Sequence, residues 1–363
     1  QVLDDREVSA WGRLQSALPL GGSLLRAGGE FETARYRTRY LDPSVGGLNS
    51  EGQAHRTKLA LHTGIQRVLT PGVRLHAGVR YDAVLPSEQT DGGASPSFQE
   101  WSPRVALNVA YSRRPSRAGN LFVSWTRAFK APTLDQLFDP RNIPTGEPGQ
   151  SFNISNADLK PQRSSAFEVG AYQRIPLGGS GGFAELSAAV YRQDLEDEID
   201  FDVRTYSYGN IQKSRHTGVE AGVRAVLVNG LELIHSATHT RATPRSSPNE
   251  EHQLKNIPES AFVTSALIGL SRSEQMTLTH RATGGVYLDD ENTEKLEGSS
   301  LMDAGLTWRI GRIEASMSAR NVFDTENESF GFLLFDPFQG ANVRMVHPGP
   351  GRSLDLRITV LSR

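Results

Sequence analysis

The segment Leu121-Phe-Val-Ser-Trp-Thr-Arg-Ala-Phe-Lys130 alternates apolar and polar side chains, and a second alternating segment runs from Ser164 to Ile175. A period of two is typical of a β-strand whose two faces meet different surroundings. About thirty residues rich in Pro, Gly, Asn and Asp lie between the two segments. A hairpin loop in a soluble protein usually has roughly 2–5 residues, so something other than compactness sets the length of this connection.

The same alternation recurs along the whole chain and is clearest at Val73-Arg-Leu-His-Ala-Gly-Val-Arg-Tyr81. Most of the segments are long enough to cross a membrane as tilted strands of ~9–11 residues, whereas soluble strands average ~5–6. We predict fifteen strands, at 6–18, 23–36, 55–69, 73–85, 98–112, 120–129, 162–175, 183–204, 210–228, 231–241, 258–270, 275–288, 299–310, 312–324 and 352–362.

The connections between these segments fall into two classes that alternate strictly. One class is tight, at 19–22, 70–72, 113–119, 176–182, 229–230, 271–274 and 311. The other class is mostly long, at 37–54, 86–97, 130–161, 205–209, 242–257, 289–298 and 325–351. Short turns on one rim and long loops on the other are typical of outer-membrane barrels. The sequence therefore predicts an all-β, transmembrane antiparallel barrel with short periplasmic turns and long extracellular loops.

The composition agrees with a membrane barrel and excludes several other classes of protein. The chain has 363 residues, no cysteine, a formal charge of −2 and 37% hydrophobic residues. It lacks a continuous apolar run of ~18 residues, which excludes a transmembrane helix. The near-neutral charge gives no support to nucleic-acid binding. The sequence contains no nucleophile elbow, zinc-protease motif, cysteine pair or phosphate loop, so we predict no enzyme, no cofactor, no catalytic residue and no metal site.

Five sequence motifs resemble those of TonB-dependent outer-membrane receptors. The first two are Phe129-Lys-Ala-Pro132 and Asn156-Ala-Asp-Leu-Lys-Pro161, where the family has aromatic-Arg-Ala-Pro and Asn-Pro-Asp-Leu-Lys-Pro-Glu. Lys130, Ala157 and Gln162 stand in place of the family's Arg, first Pro and Glu. The remaining three, which match in order and spacing, are Thr217-Gly-Val-Glu220, Asn321-Val-Phe-Asp324 and Pro348-Gly-Pro-Gly-Arg352.

The resemblance covers essentially the whole chain and explains its odd number of strands. Fifteen antiparallel strands cannot close into an all-antiparallel barrel. Receptors of this family have an N-terminal plug and twenty-two strands, so residues 1–363 are expected to be the C-terminal portion of the barrel, with the plug and seven strands missing. The family closes with an aromatic residue, whereas this chain ends at Arg363.

The resemblance implies that the protein imports a scarce nutrient across the outer membrane of a Gram-negative bacterium. A ferric siderophore is the default ligand on family frequency, and the TonB complex is the expected partner, contacted through the missing plug segment. Outer-membrane lipid would surround the strands. Haem is disfavoured, because the haem receptors that resemble this family place a His between the two mid-barrel motifs, and 133–155 contains none.

Aromatic and basic residues in the predicted outer loops are the candidate ligand-binding residues. An exposed aromatic cluster is unfavourable in water unless it contacts a partner, so these residues are interpreted as a ligand surface. Packing of the rings within the loop is an equally good interpretation. The candidates are Tyr206, Tyr208, Phe330, Phe332, Phe335, Phe338, Arg344 and His347. A separate acidic row is predicted on one face of a single strand, either lining the pore or extending into solvent, and it comprises Asp194, Glu196, Glu198, Asp200 and Asp202.

Two alternative functions remain open at this stage. A passive porin of sixteen strands would have one further strand within 325–351, and it could fold the 130–161 loop inward to narrow its pore. A soluble β-rich binding protein would have shorter strands and no asymmetry between its two rims.

Overall fold

The chain forms one large antiparallel sheet with smaller hairpins at one of its rims. The computed structural model describes residues 2–42, 47–89, 94–144, 151–178, 181–202, 205–227, 230–245, 250–336 and 340–360. None of the helices in these ranges is long and apolar enough to span a membrane.

Fifteen strands follow one another in the large sheet, each paired antiparallel with the next. Their order is that of the chain, and within the described residues the first and last strands each pair with one neighbour. They are β1 (Val2–Leu20), β2 (Ser23–Asp42), β3 (Gly47–Thr70), β4 (Val73–Val84), β6 (Phe98–Ser112), β7 (Gly119–Lys130), β10 (Gln162–Leu177), β11 (Gly182–Asp202), β12 (Ser207–Val226), β13 (Leu231–Pro244), β14 (Ser260–Gly269), β15 (Glu274–Thr283), β18 (Ser299–Ile310), β19 (Ile313–Arg320) and β22 (Ser353–Val360).

All but one of the short elements lie in the long connections. They are β5 (Glu88–Gln89), which pairs with β3, a 3₁₀ turn (Pro115–Arg117), α1 (Leu134–Phe138), and the hairpins β8–β9 (Asn142–Pro144, Ser151–Asn153), β16–β17 (Val286–Tyr287, Lys295–Leu296) and β20–β21 (Glu328–Asp336, Ala341–Pro348). Apart from the 3₁₀ turn, these elements are at the rim of the long connections. We call this rim the loop rim and the opposite one the turn rim.

The fifteen predicted strands are confirmed, and most of the differences are at the loop rim. The second strand was predicted to end at residue 36 and the third to begin at residue 55, but β2 continues to Asp42 and β3 begins at Gly47. The short helix α1 packs against these ends of the two strands and buries Tyr36 and Ala54. Four connections predicted as loops contain helix or strand of their own, at 86–97, 130–161, 289–298 and 325–351. In the last three, side chains that alternation could not place form buried apolar clusters.

The two faces of the sheet carry different side chains, as the alternation predicts. On the outer face, Leu61 of β3 is opposite Tyr81 of β4, and its side chain is exposed. On the inner face, the guanidinium of Arg80 lies 2.7 Å from Glu30 of β2 and 2.9 Å from Asp82 of its own strand. The sheet therefore has an apolar outer face, which suits contact with lipid hydrocarbon, and an ion-paired inner face, which suits contact with water.

Aromatic side chains lie directly over glycines on the inner face of the sheet. Phe122 of β7 is the cross-strand partner of Gly170 in β10, and a Cβ at Gly170 would overlap its ring. Tyr191 of β11 is opposite Gly218 of β12, where a Cβ would lie 2.6 Å from the tyrosine Oη. The two glycines therefore provide the space in which these rings pack flat against the wall.

The acidic row on β11 is not confined to one face, so that part of the prediction is wrong. Asp194 forms a 2.5 Å ion pair with Arg215, while Glu198 accepts a hydrogen bond from Ser214, the adjacent residue on β12 and so on the opposite face. Between them Asp197 has a φ of 54°, which interrupts the alternation. Alternation can be carried along a strand only while every residue keeps extended geometry.

Candidate ligand-binding site at the loop rim

The connection between β7 and β10 folds over the inner face of the sheet. The buried side chains of α1 (Leu134, Leu137 and Phe138) pack against residues on the inner face of β2 and β3. The short helix begins after Pro132, and Gln136 accepts a 3.0 Å hydrogen bond from the backbone N–H of Thr133 at its first turn. The cluster also includes Leu159, Ala157, Ile199 and Tyr208, so it joins β2–β3 to β11–β12.

Polar contacts attach the beginning of this connection to β2 and β3. Arg56 of β3 is buried and donates a hydrogen bond to the backbone carbonyl of Pro132. Tyr40 of β2 donates a 3.2 Å hydrogen bond to Asp139, whose carboxylate also receives the guanidinium of Arg141 at 2.7 Å. Arg141 stacks over the Tyr40 ring at 4.7 Å. Burial raises the pKa of Tyr40 to about 12, and the Asp139 carboxylate acts in the same direction, so the hydroxyl remains a donor at neutral pH.

The second mid-barrel motif attaches the end of the connection to β12. The side-chain amide of Asn156 donates 3.0 Å to the carbonyl of Tyr208, and the Asn156 N–H donates 2.9 Å to the carbonyl of Gln136 in α1. Lys160 and Asn210 exchange two hydrogen bonds of 2.9 and 3.1 Å. Leu159 is buried in the apolar cluster around α1. The two sequence motifs are thus the two ends of one inward-folded connection.

A second apolar cluster organises the other side of the loop rim. Leu288 and Leu296, at the hairpin β16–β17, are buried against Leu333 of β20. Gly331 allows this approach, since a Cβ there would be 3.3 Å from both leucine side chains. The hairpin β20–β21 is therefore held on one of its faces, and its other face remains open.

The open face of β20–β21 carries three of the predicted ligand-binding residues. Phe330 and Phe332 have ring centroids 6.0 Å apart, and the His347 ring lies 6.1 Å from the first and 6.3 Å from the second. Phe330 is 47% exposed. We call these three side chains the aromatic patch. The structure brings them together because Phe330 and His347 are cross-strand partners and Phe332 follows two residues later.

Arg344 belongs to the opposite face of the same hairpin. It pairs in register with Leu333 and forms an ion pair with Glu328. On this face a cavity of about 440 Å³ separates the hairpin from the connection that contains β16–β17. Its lining is mainly polar and comprises Asp289, Glu291, Thr293, Glu294, Leu333, Asn342 and Arg344.

The other predicted site residues are at separate places. Tyr206, with a φ of 50°, is in the turn between β11 and β12. Tyr208 contacts the Phe201 ring edge-on at 5.2 Å and packs on the α1 cluster. Phe335 is opposite Asn342 at the end of β20, and Phe338 lies outside the described residues. Their role in ligand binding stays a prediction.

Lys255 links the two sides of the loop rim and was not anticipated from the sequence. Its ammonium lies 2.7 Å from Asp200 of β11 and 3.4 Å from Asp290 in the connection after β15. The Lys255 side chain is 16% exposed. Burial disfavours its charge, but the carboxylates of Asp200 and Asp290 outweigh that effect and raise the pKa of the ammonium.

Four residues that shape this site were missed by the sequence analysis, namely Tyr40, Arg56, Asp139 and Lys255. Each was assigned to a strand or a loop without a role, because its partner is tens of residues away in the chain. No spacing rule within a single sequence connects such pairs.

One protein family matches most of the chain. The family model for the β-barrel of TonB-dependent receptor-like proteins matches residues 3–322. The match includes the inward-folded connection, the cluster around α1 and every strand of the large sheet except β22.

Two solved siderophore-uptake or ferric-catecholate import receptors and a copper transporter have a similar fold. The ferric yersiniabactin uptake receptor FyuA of Yersinia pestis aligns over 99% of this chain with a TM-score of 0.73 and 15% identity. The ferric-catecholate import receptor Fiu of E. coli K12 aligns over 98% with a TM-score of 0.69 and 17% identity, and the copper transporter OprC aligns over 98% with a TM-score of 0.72 and 16% identity. This chain spans 54%, 54% and 56% of those three chains, respectively. The predicted transmembrane barrel fold and outer-membrane location are confirmed.

Proposed function

The chain belongs to the TonB-dependent receptor β-barrel family, and from that membership we propose that it forms part of an outer-membrane receptor that imports a scarce nutrient with energy delivered through TonB. The observation that carries this proposal is the family match over residues 3–322. Because the chain spans about half of the similar solved structures, the TonB contact is proposed for the whole receptor and not for these residues.

We propose a ferric siderophore as the ligand and the aromatic patch as one of its contacts. Two of the similar structures are described as receptors for ferric catecholates and ferric yersiniabactin, while a third is described as a copper transporter. The aromatic patch supports an organic chelate over a bare ion. Phe330 and Phe332 offer ring faces to the aromatic or flat parts of a chelate, and His347 adds a hydrogen-bonding group beside them.

The inward-folded connection would limit which ligands can enter the receptor from outside. Its anchors at Arg56, Tyr40 and Asn156 hold it across the inner face, so a ligand arriving from outside meets a narrowed opening. A passive porin would also use an inward loop, but the matching family model describes receptors, so we do not propose passive diffusion.

Uptake of radioactive iron by cells tests the proposal. A strain that lacks the gene would be complemented with the full-length receptor, supplied with ferric catecholate or ferric hydroxamate chelates, and compared with and without TonB. We expect uptake of one chelate class that depends on both the receptor and TonB. Uptake that persists without TonB would show passive entry and would overturn the energised function.

A pair of phenylalanine variants tests the ligand contact separately. Phe330→Ala should weaken binding of the chelate to the purified receptor, with the loss expected of a stacked ring, at about 1–3 kcal/mol or roughly 5–150-fold. Phe167→Ala removes a similarly exposed ring from the outer wall, where Phe167 is 49% exposed, and should leave binding unchanged. If the two variants weaken chelate binding equally, the aromatic patch is not part of the ligand-binding site.

A further inference from the structure

Four valines form a single row across the outer face of the sheet. They are cross-strand partners on β7, β10, β11 and β12, namely Val123, Val169, Val190 and Val219. Val190 comes directly before Tyr191, whose ring lies on the inner face, so alternation places the row on the outer face. We call these four residues the valine row. Its exposed side chains suit contact with lipid acyl chains.

The next two cross-strand rows toward the loop rim change from apolar to basic. The first contains Trp125, Phe167, Arg192, Thr217 and Arg241, and the second contains Arg127, Ser165, Asp194, Arg215 and Thr243. Four of these residues are arginines and one is a carboxylate, so the two rows have an excess of positive charge. We call Arg127, Arg192, Arg215 and Arg241 the arginine belt.

The arginine belt lies where the hydrocarbon of the membrane ends. Arg192 is ten positions beyond Gly182, where β11 begins at the turn rim. At ~3.4 Å per residue and a strand tilt of ~35–45°, it is roughly 24–28 Å above that rim, at the edge of an apolar band ~25 Å tall. Trp125 and Phe167 beside the belt agree with this level, because aromatic side chains concentrate at membrane–water interfaces. Since the long loops are extracellular, the belt meets the headgroups of the outer leaflet.

The protein neutralises only part of the charge of the arginine belt. The carboxylate of Asp194 lies 2.8 Å from the guanidinium of Arg192 and 2.5 Å from that of Arg215. Arg127 and Arg241 are exposed, and neither forms an ion pair with any residue that the structure describes. The surface is therefore complementary to an anion supplied from outside the protein.

We propose that the arginine belt and the valine row together bind lipopolysaccharide, the phosphorylated glycolipid of the outer leaflet. A guanidinium suits a phosphate because it presents parallel N–H donors to two phosphate oxygens. Thr217 is the cross-strand partner of both Arg192 and Arg241, so a phosphate above its hydroxyl is within reach of two guanidinium groups. The acyl chains of the same molecule lie against the valine row.

The width of this surface favours lipopolysaccharide over a phospholipid. Four neighbouring strands at a spacing of ~4.8 Å make the valine row roughly 14 Å wide. The lipid anchor of lipopolysaccharide carries phosphates at both ends of a disaccharide and several acyl chains, whereas a phospholipid has a single phosphate and a pair of chains. The larger lipid can therefore contact arginines at two places while its chains cover the whole valine row.

Binding of fluorescent, short-chain lipopolysaccharide to the purified full-length receptor in neutral detergent tests the proposal. Arg127→Gln with Arg241→Gln removes two guanidinium groups that have no ion-pair partner among the described residues. Arg67→Gln with Arg113→Gln is the matched control, because both arginines are exposed at the turn rim. Hydrogen bonds to charged groups are lost in the first variant, so we expect its Kd to rise at least tenfold while the control keeps the original Kd. An unchanged Kd in the first variant, or an equal rise in both, would overturn the site.

Asp194→Asn separates a loss of binding from damage to the barrel. The substitution removes the carboxylate that neutralises part of the arginine belt, so we expect a Kd at least threefold lower, which a damaged wall does not give. A Kd that stays the same or rises would contradict the charge argument.

The choice of lipid tests the identity of the ligand. We expect dephosphorylated lipopolysaccharide and phosphatidylglycerol each to bind the unsubstituted receptor at least tenfold more weakly than intact lipopolysaccharide. Equal binding of the dephosphorylated form would overturn phosphate recognition. Equal binding of phosphatidylglycerol would show a general surface for anionic lipids and would overturn lipopolysaccharide as the ligand.

Discussion

The hydroxyl of Tyr40 donates a 3.2 Å hydrogen bond to the carboxylate of Asp139, joining a strand of the wall to a residue 99 positions later in the chain. This contact, together with Arg56 and the cluster around α1, makes a connection of some thirty residues part of the wall's inner surface. The connection is therefore folded structure, and its stability can be measured apart from that of the barrel.

Tyr40→Phe should loosen this connection without disturbing the strands. Loss of a hydrogen bond to a charged group costs about 1.5–3 kcal/mol, so amide exchange within 134–139 should become roughly 10–150-fold faster. Hydrogen-exchange mass spectrometry on the purified receptor gives the rate. Tyr172→Phe is the matched control, because it removes a 2.9 Å hydrogen bond to Glu185 near the turn rim. If the control accelerates exchange in α1 equally, the effect is general and our assignment of Tyr40 is wrong.

Leu137→Ala should release α1 from β2 and β3. Leu137 is 4% exposed, and truncating such a buried leucine costs about 2–5 kcal/mol. We expect a protease to cleave the β7–β10 connection at least tenfold faster in the variant, while cleavage elsewhere stays unchanged. Leu121→Ala, on the exposed outer face of β7, should not alter this cleavage. Unchanged cleavage of Leu137→Ala would show that polar anchors alone hold the connection.

Lys255→Met should separate the two sides of the loop rim. Its ammonium is largely buried between two carboxylates, and losing such contacts costs about 1.5–3 kcal/mol. Lys213→Met removes an ion pair with Glu196 in which both side chains are more than half exposed, so about 0–1 kcal/mol is expected. Faster amide exchange at 253–256 in the first variant only is the expected result. Equal exchange in both would contradict the linking role.

The connection around Asp289 should loosen in acid. Burial opposes ionisation of this carboxyl, but hydrogen bonds from Thr293 and from the backbone N–H of Glu294 outweigh it, so its folded pKa is below the usual 3.8. A lowered folded pKa gives stabilisation that is complete above pH 3.8 and is lost as the pH falls through the folded value. Exchange protection of the Thr293 and Glu294 amides should fall in that window. Asp289→Asn should remove this pH dependence, and a transition that survives the substitution would assign it to another group.

Gly170→Ala should impair assembly of the barrel wall. A methyl group at this position overlaps the Phe122 ring, and overpacking of this kind costs about 1–3 kcal/mol. The fraction of heat-modifiable, folded receptor in the outer membrane should decrease. Phe122→Leu in the same chain should restore part of it by making room. If Phe122→Leu does not restore assembly, the defect comes from the backbone around Gly170 and not from overlap with the Phe122 ring.

The strands and their two faces were predictable because they depend on local alternation. Val73–Tyr81 predicts both the existence of β4 and the direction of each side chain, and the structure agrees. The prediction failed where one residue left extended geometry, as Asp197 does, because Glu198 then contacts Ser214 on the opposite face from Arg215. It also failed where a loop covered a strand, as α1 covers the ends of β2 and β3.

The candidate site was predictable only in part. An aromatic-rich loop indicated a possible ligand surface, and the structure places Phe330, Phe332 and His347 together. Arg344, only three residues before His347, is on the opposite face, because the predicted loop is a β-hairpin whose alternation separates the two. Lys255 and Arg56 gave no signal, since their partners Asp200 and Pro132 are distant in the chain and no local pattern connects them.

A connection that contacts a sheet at two separate places limits the distance between those two places. The β7–β10 connection contacts β2–β3 at one end and β11–β12 at the other, with β4, β6, β7 and β10 between them in the sheet. We therefore expect the width of the opening at the loop rim to depend on the length of this connection. A receptor with a longer or shorter loop could admit a larger or smaller solute with no change in any strand. New ligand preferences could therefore evolve through changes in this connection alone.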